Sequence, residues 1–278
     1  MTNAKTLFQQ LQKEIVLPEE PEEISSMLYL LFEKEFGFSR TDIMAEKEIT
    51  EVPHERLKET IHRINQNEPI QYILGQANFG GRTFLVNRSV LIPRPETEMI
   101  VRLAKEERHE APRILDIGTG SGCLAISIAL DIPTSYVTAV DISEAALTVA
   151  KENATRLGAH ITFQQLDFLS QSLAIKDLDL LVSNPPYIME KEKATMHANV
   201  LNYEPSLALF VPDHNPLLFY KEIAKKGKQF LRPGGKVIVE INEQFGKEVK
   251  TLFEQKFYRA SIIADLNGKD RIVMAQLS

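Results

Sequence analysis

The chain has 278 residues, of which 44% are hydrophobic and 25% charged, as expected for a soluble globular protein of about two domains at roughly 150 residues each. A formal net charge of −6 lacks the basic excess from which general nucleic-acid binders draw affinity, so bulk DNA or RNA binding is not expected. One cysteine, Cys123, excludes an intramolecular disulfide. The histidines (His54, His62, His109, His160, His197, His214) show no ligand pair at helical or hairpin spacing, so no metal is expected. No apolar run approaches ~18 residues, and the opening MTNAKTLFQQ lacks the apolar core of a signal peptide. The expectation is a cytoplasmic protein without a membrane span.

Residues 1–75 are predicted to form a helical domain. Leu7, Leu11 and Ile15 recur at helical spacing, and Ile24, Met27, Leu28, Leu31 and Phe32 make a second apolar stripe. Pro53 suits the first turn of a third helix carrying Leu57, Ile61 and Ile64. Residues 76–90 are predicted to be a β-hairpin linker, with Gly80-Gly81 supplying the positive φ angles of its turn. A helix should start after Pro95. From Arg113 onward, apolar strands at 113–117, 136–140, 161–165, 179–183 and 236–241 alternate with helices at 121–130, 143–157, 215–230 and 243–256. Two closing strands, 259–264 and 271–276, are separated by so short a turn that they should pair antiparallel. Residues 91–278 are therefore predicted to be one α/β domain with a doubly wound, mostly parallel seven-stranded sheet and an antiparallel edge hairpin.

Four motifs fall at the ends of predicted strands. The first is Asp116-Ile117-Gly118-Thr119-Gly120-Ser121-Gly122, which opens a helix. Glycines let backbone approach a ligand, and the helix start offers free N–H groups. The dinucleotide pattern G-x-G-x-x-G fails, because its third glycine would be Cys123. G-x-G-x-G with an upstream acid resembles motif I of class I methyltransferases, which implies that Gly118 to Gly122 hold the amino-acid part of S-adenosylmethionine. The bland alternative is a tight strand–helix turn. The second motif is Asp141, whose carboxylate can accept both hydroxyls of a ribose. It could instead cap the next helix, although Ser143 is the better cap. The third is Asp167-Phe168. In methyltransferases an acid here accepts the adenine amino group and its neighbour contacts the ring; the alternative is a loop carboxylate beside a core aromatic.

The fourth motif, Asn184-Pro185-Pro186-Tyr187, follows the strand LDLLV. An amide or aryl-amine nitrogen is a poor nucleophile, because its lone pair is delocalised. The Asn184 side-chain oxygen and the Pro185 carbonyl can accept its two N–H bonds and so orient it. The prolines stiffen the loop and remove competing donors, and Tyr187 can stack on a planar target. A rigid surface turn is the alternative. Cys123 reads as a small buried helix residue rather than a nucleophile, and Lys269 to Arg271 as a polar hairpin turn.

Together these residues resemble the protein-(glutamine-N5) methyltransferases of class 1 peptide-chain release factors, the PrmC/HemK family. The likeness includes Gln71-Tyr72-Ile73-Leu74-Gly75 with its hairpin, Leu91-Ile92-Pro93-Arg94-Pro95-Glu96-Thr97-Glu98, Glu204-Pro205, and Asp265 to Arg271. It implies methylation of a glutamine in the Gly-Gly-Gln loop of a release factor, which the helical domain helps to hold. It further implies S-adenosylmethionine as cofactor, bound by the glycine loop, Asp141, Asp167, Phe168 and Asn184. Arg94 lies in a turn that the resemblance places at the cofactor site, and it is a candidate substrate contact together with Asn184 to Tyr187; a solvated helix start is the alternative. Two other readings compete. An adenine or guanine amino-methyltransferase would share Asn184 to Tyr187, but the acidic charge and the lack of a basic stretch interleaved with aromatics stand against it. A non-catalytic protein-binding module would not need the glycine loop, Asp141 and Asn184 together.

Overall fold

A computed structural model describes residues 2–107, 110–256 and 258–278; His109, one of the histidines weighed above, lies outside them. The chain divides into two compact units, Met1–Gln76 with His197–Tyr203, and Ala77–Met196 with Glu204–Ser278.

The first unit contains helices Ala4–Glu14, Pro21–Phe36, Arg40–Met44, His54–Asn65 and Ile70–Leu74. The three predicted apolar stripes meet in one core, where Leu11, Leu28, Leu31, Phe32 and Ile64 are each at most 3% exposed. Pro53 sits just ahead of its helix as the capping residue, not inside the first turn. Helix Ala198–Tyr203 belongs to this unit although it lies in the middle of the α/β sequence. The Tyr203 hydroxyl donates to the Gln66 carbonyl at 2.9 Å.

The second unit holds a seven-stranded sheet. Its strands are β1 (Arg113–Ile117), β2 (Tyr136–Asp141), β3 (Ile161–Gln165), β4 (Leu178–Ser183), β5 (Leu231–Glu240), β6 (Tyr258–Ala264) and β7 (Asp270–Leu277). Their spatial order is β6, β7, β5, β4, β1, β2, β3. The pairs among β1 to β5 are parallel, and β7 runs antiparallel to both β5 and β6. Central strands covered on both faces must be apolar along their length, and all six residues of β4 are buried. From β1 the chain steps to one side for β2 and β3, then returns to the other side for β4. This reversal is the topological switch, and ligands in such sheets bind in the crevice beyond the strand ends there.

The hairpin expected as a linker, Gln76–Phe79 with Arg82–Leu85, is built into this second unit from Ala77 onward. Phe79 and Phe84 are 1% and 0% exposed and join a core cluster with Ile100 and Leu124. Asn153, fully buried, accepts from Leu85 N at 2.7 Å and donates to the carbonyls of Leu85 and Ser121. One amide thus ties the hairpin to helix Glu144–Leu157 and to the glycine loop.

Candidate active site

After β1 the backbone turns through Gly118 and Gly120, whose φ angles are +71° and +55°. A side chain at either would be strained, and a Cβ there would project into open space. The result is a cradle of bare backbone at the switch point. Gly122 serves another purpose. A Cβ there would come within 2.8 Å of Ile126 Cδ1 and 3.2 Å of Ala150 Cβ, so this glycine allows close helix packing. Thr119 and Ser121 are also turned inward, at 4% and 2% exposure. Thr119 Oγ1 donates to Asp116 Oδ2 at 2.7 Å. Burial pushes the Asp116 carboxyl up to about 7, against that hydrogen bond and with the nearby charge of Asp141 adding to the rise. Of the five residues expected to hold cofactor in this loop, only Gly118 and Gly120 line the cleft. Cys123 behind them is half-buried rather than fully buried as expected, and burial pushes its thiol up to about 12, which disfavours the nucleophilic thiolate.

Asp141 ends β2. Its Oδ2 accepts from Gly120 N at 2.9 Å and its Oδ1 from Ser143 N at 2.9 Å. It therefore clasps the glycine loop, while each oxygen keeps a lone pair for a hydroxyl. Burial raises its carboxyl, opposed by these backbone donors. The following helix is capped by Ser143, whose Oγ accepts from Ala146 N at 3.1 Å. Asp167 accepts from Ser170 Oγ at 2.5 Å and Leu169 N at 3.0 Å, and the Ser170 bond leads in lowering its carboxyl. Phe168 lines the cleft, but its ring belongs to the core: it is 5% exposed and packs edge-on against Phe230, with centroids 6.5 Å apart.

Asn184, Pro185 and Pro186 line the same cleft. The register explains their position. Ile117 and Val239 both pair with Ser183, so the residues following these strands stand at one level. Asn184 Nδ2 donates to Thr97 Oγ1 at 3.1 Å, and Thr97 Oγ1 donates to Glu240 Oε2 at 2.6 Å. The Tyr187 hydroxyl donates to Glu240 Oε1 at 3.0 Å. Burial raises the Glu240 carboxyl, while the bonds from Thr97 and Tyr187 and the charge of Arg271 favour its ionised form. Burial also raises the Tyr187 phenol, so it stays a donor. Tyr187 is thus anchored behind the loop and, like Arg94, is absent from the cleft lining. Arg94 Nη2 donates to Glu204 Oε1 at 2.6 Å, and Ile92 N bonds the other oxygen at 3.3 Å. This ion pair holds the proline-rich turn, which is how Arg94 bears on the site.

The cleft has a volume of about 310 Å³, at the small end for sites that bind drug-sized ligands. Its walls combine Leu91, Ile142, Leu166 and Leu207 with the polar groups just described. Bare backbone at Gly118 and Gly120, an acid at the end of β2 and apolar walls fit a nucleoside that carries an amino acid, the chemistry of S-adenosylmethionine. In the sequence Thr97 stands out only as part of the segment Leu91 to Glu98, with no role of its own, and Glu240 does not stand out at all. The available signal for Glu240 was an acid inside the apolar run KVIVEI, since a buried carboxylate requires partners.

Residues 96–204 match the family model of the methyltransferase small domain, and residues 9–75 match that of the PrmC N-terminal domain. A release factor glutamine methyltransferase of Bacteroides thetaiotaomicron is 46% identical over 259 residues, covering 92% of this chain and 93% of its own. One from Flavobacterium psychrophilum is 38% identical, with 90% and 91% covered. Among solved structures, a methyltransferase from Pyrococcus furiosus superposes with a TM-score of 0.53 at 17% identity, covering 79% of this chain and 98% of its own, a likeness of fold.

Proposed function

Because the chain belongs to the family of release factor glutamine methyltransferases, we propose that it transfers a methyl group from S-adenosylmethionine to a glutamine side-chain amide nitrogen in the Gly-Gly-Gln loop of class 1 peptide-chain release factors. The observation that carries the site assignment is the setting of Asn184. Its Nδ2 is engaged by Thr97, which leaves Oδ1 as an acceptor at the cleft. An acceptor is what an amide target needs. Asn184 Oδ1 and the Pro185 carbonyl accept its two N–H bonds, hold the group flat and leave the face of its nitrogen open. Proximity and orientation supply most of the acceleration. No residue is required as a strong base; once the nitrogen–carbon bond forms, the nitrogen is acidic and its proton passes to solvent.

Bound S-adenosylmethionine supplies an electrophilic methyl on a sulfonium centre. The Gly118 and Gly120 backbone would hold its amino-acid end, Asp141 its ribose hydroxyls, and Asp167 its adenine amino group between apolar walls. The helical unit, matched by the PrmC N-terminal model, would help hold the protein substrate. The enzyme would act in the cytoplasm, where translation factors work; among the described residues no helix is long and apolar enough to cross a membrane. A net charge of −6 suits this protein substrate better than nucleic acid. The test is incubation with S-adenosylmethionine and a purified release factor, followed by peptide mass analysis. One added methyl on the peptide containing Gly-Gly-Gln is the expected result. An unmodified release factor, with cofactor binding intact, would refute the substrate assignment.

A further inference from the structure

We propose that Glu240 is a positioning residue for methyl transfer, which acts through Thr97 to set which end of the Asn184 amide faces the cleft. The inference rests on the reading above, in which Asn184 Oδ1 accepts an N–H of the target.

A primary amide has nearly the same shape either way round, but its two ends have opposite hydrogen-bonding character. Flipped, Asn184 would present N–H groups to the N–H groups of its target, and the target would not be held. Shape alone does not prevent this; the partner on the far side of the amide must decide it. That partner is Thr97 Oγ1, and a hydroxyl can either donate or accept. A threonine alone would therefore tolerate both orientations.

Glu240 removes the ambiguity. Both Glu240 oxygens accept, Oε1 from the Tyr187 hydroxyl and Oε2 from Thr97, so Thr97 gives its single proton to Glu240. At 2.6 Å this is a short O–H···O bond. The threonine oxygen is left with lone pairs alone, and only the Nδ2 end of Asn184 can satisfy it. The Oδ1 end is then directed to the cleft. Thr97 and Glu240 are 2% and 1% exposed, so water cannot readily substitute for either. The other carboxylate oxygen takes the Tyr187 hydroxyl, and one residue thus grips both ends of the Asn184–Tyr187 loop. The sheet register makes this possible: Val239 pairs with Ser183, which brings the residue after each, Glu240 and Asn184, to the same level.

The test uses the full-length enzyme with S-adenosylmethionine and a release factor. Glu240→Gln keeps the shape but lets the side chain donate as well as accept, and Thr97→Val removes the hydroxyl at constant volume. Each should lower kcat by about 10- to 100-fold, by analogy with the loss of an outer partner that orients a metal ligand. Kd for cofactor should stay within about threefold, because Gly118, Gly120 and Asp141 are untouched, and KM for the release factor should change less than kcat, because its contacts beyond the target amide are unaltered. Thr97→Ser, which keeps the hydroxyl, should restore turnover to within about threefold of the parent. The double variant should fall little below the worse single one, since both changes break one relay. Wild-type kcat in Thr97→Val, with Asn184→Ala inactive, would overturn the relay and leave the proposed chemistry standing. Full turnover in Asn184→Ala would overturn both. A loss of cofactor affinity in Glu240→Gln as large as its loss of kcat would show a general structural role and overturn the proposal.

Discussion

Asn184 and Thr97 are 87 residues apart in the chain, yet Asn184 Nδ2 lies 3.1 Å from Thr97 Oγ1. Through this contact the end of a central strand and a helix entrance define one functional group. Asn184→Ala should therefore lower turnover by about 10²–10³-fold, as when one preorganised polar group is removed from an active site. Cofactor affinity should change far less. Steady-state methyl transfer and calorimetry on the same preparation check both halves of the expectation.

Asp141→Ala should show the opposite pattern. Its carboxylate is proposed to take the ribose hydroxyls while it also accepts from Gly120 N and Ser143 N. Loss of hydrogen bonds to a charged acceptor costs roughly 1.5–3 kcal/mol, which corresponds to cofactor binding weakened by about 10- to 150-fold. Titration calorimetry reads this directly. Unchanged affinity would confine Asp141 to bracing the loop.

Asp116 should make stability depend on pH. Its folded-state pKa is raised from 3.8 to about 7 by burial. The folded protein thus keeps a proton that the unfolded chain has released. This contribution is full below the ordinary carboxylate value and is lost as pH rises to about 7, at up to about 1.4 kcal/mol per pH unit. Asp116→Asn, which can still accept from Thr119, removes the dependence. Its urea midpoint relative to the parent should therefore rise from pH 5 to pH 7.5. A constant difference would show that Asp116 is ionised throughout.

The Arg94–Glu204 pair should respond unequally to its two truncations. The Glu204 side chain is 1% exposed, whereas that of Arg94 is 32% exposed and can reach water. Arg94→Ala strands a buried carboxylate and should cost about 3–5 kcal/mol of stability. Glu204→Ala leaves a cation that can hydrate, and should cost less. Equal losses in denaturant titrations would contradict this asymmetry.

The parallel sheet was legible because buried strands are written as short apolar runs, such as LDLLV and KVIVEI, and the glycine loop and Asn184 could be recognised at their ends. Other features depend on partners distant in the chain. Glu240 takes its meaning from Thr97, 143 residues away. Gly122 looks like Gly118 and Gly120 in sequence, and only the proximity of Ala150 reveals it as a packing glycine. Phe79 and Phe84 suit a free hairpin as well as a buried one; Asn153 and the surrounding core decide between them. Helix Ala198–Tyr203 carries no local sign that it groups with the N-terminal helices.

The most direct measurement follows labelled methyl from S-adenosylmethionine onto competing acceptors in one reaction: a class 1 release factor, the same factor with its loop glutamine replaced, structured RNA and duplex DNA. Low salt gives nucleic acid its best opportunity to bind. Saturable label is expected on the intact release factor, with none on the glutamine-replaced form and none on nucleic acid. Saturable label on RNA or DNA, with the release factor unlabelled, would contradict it and identify the enzyme as a nucleic-acid amino-methyltransferase.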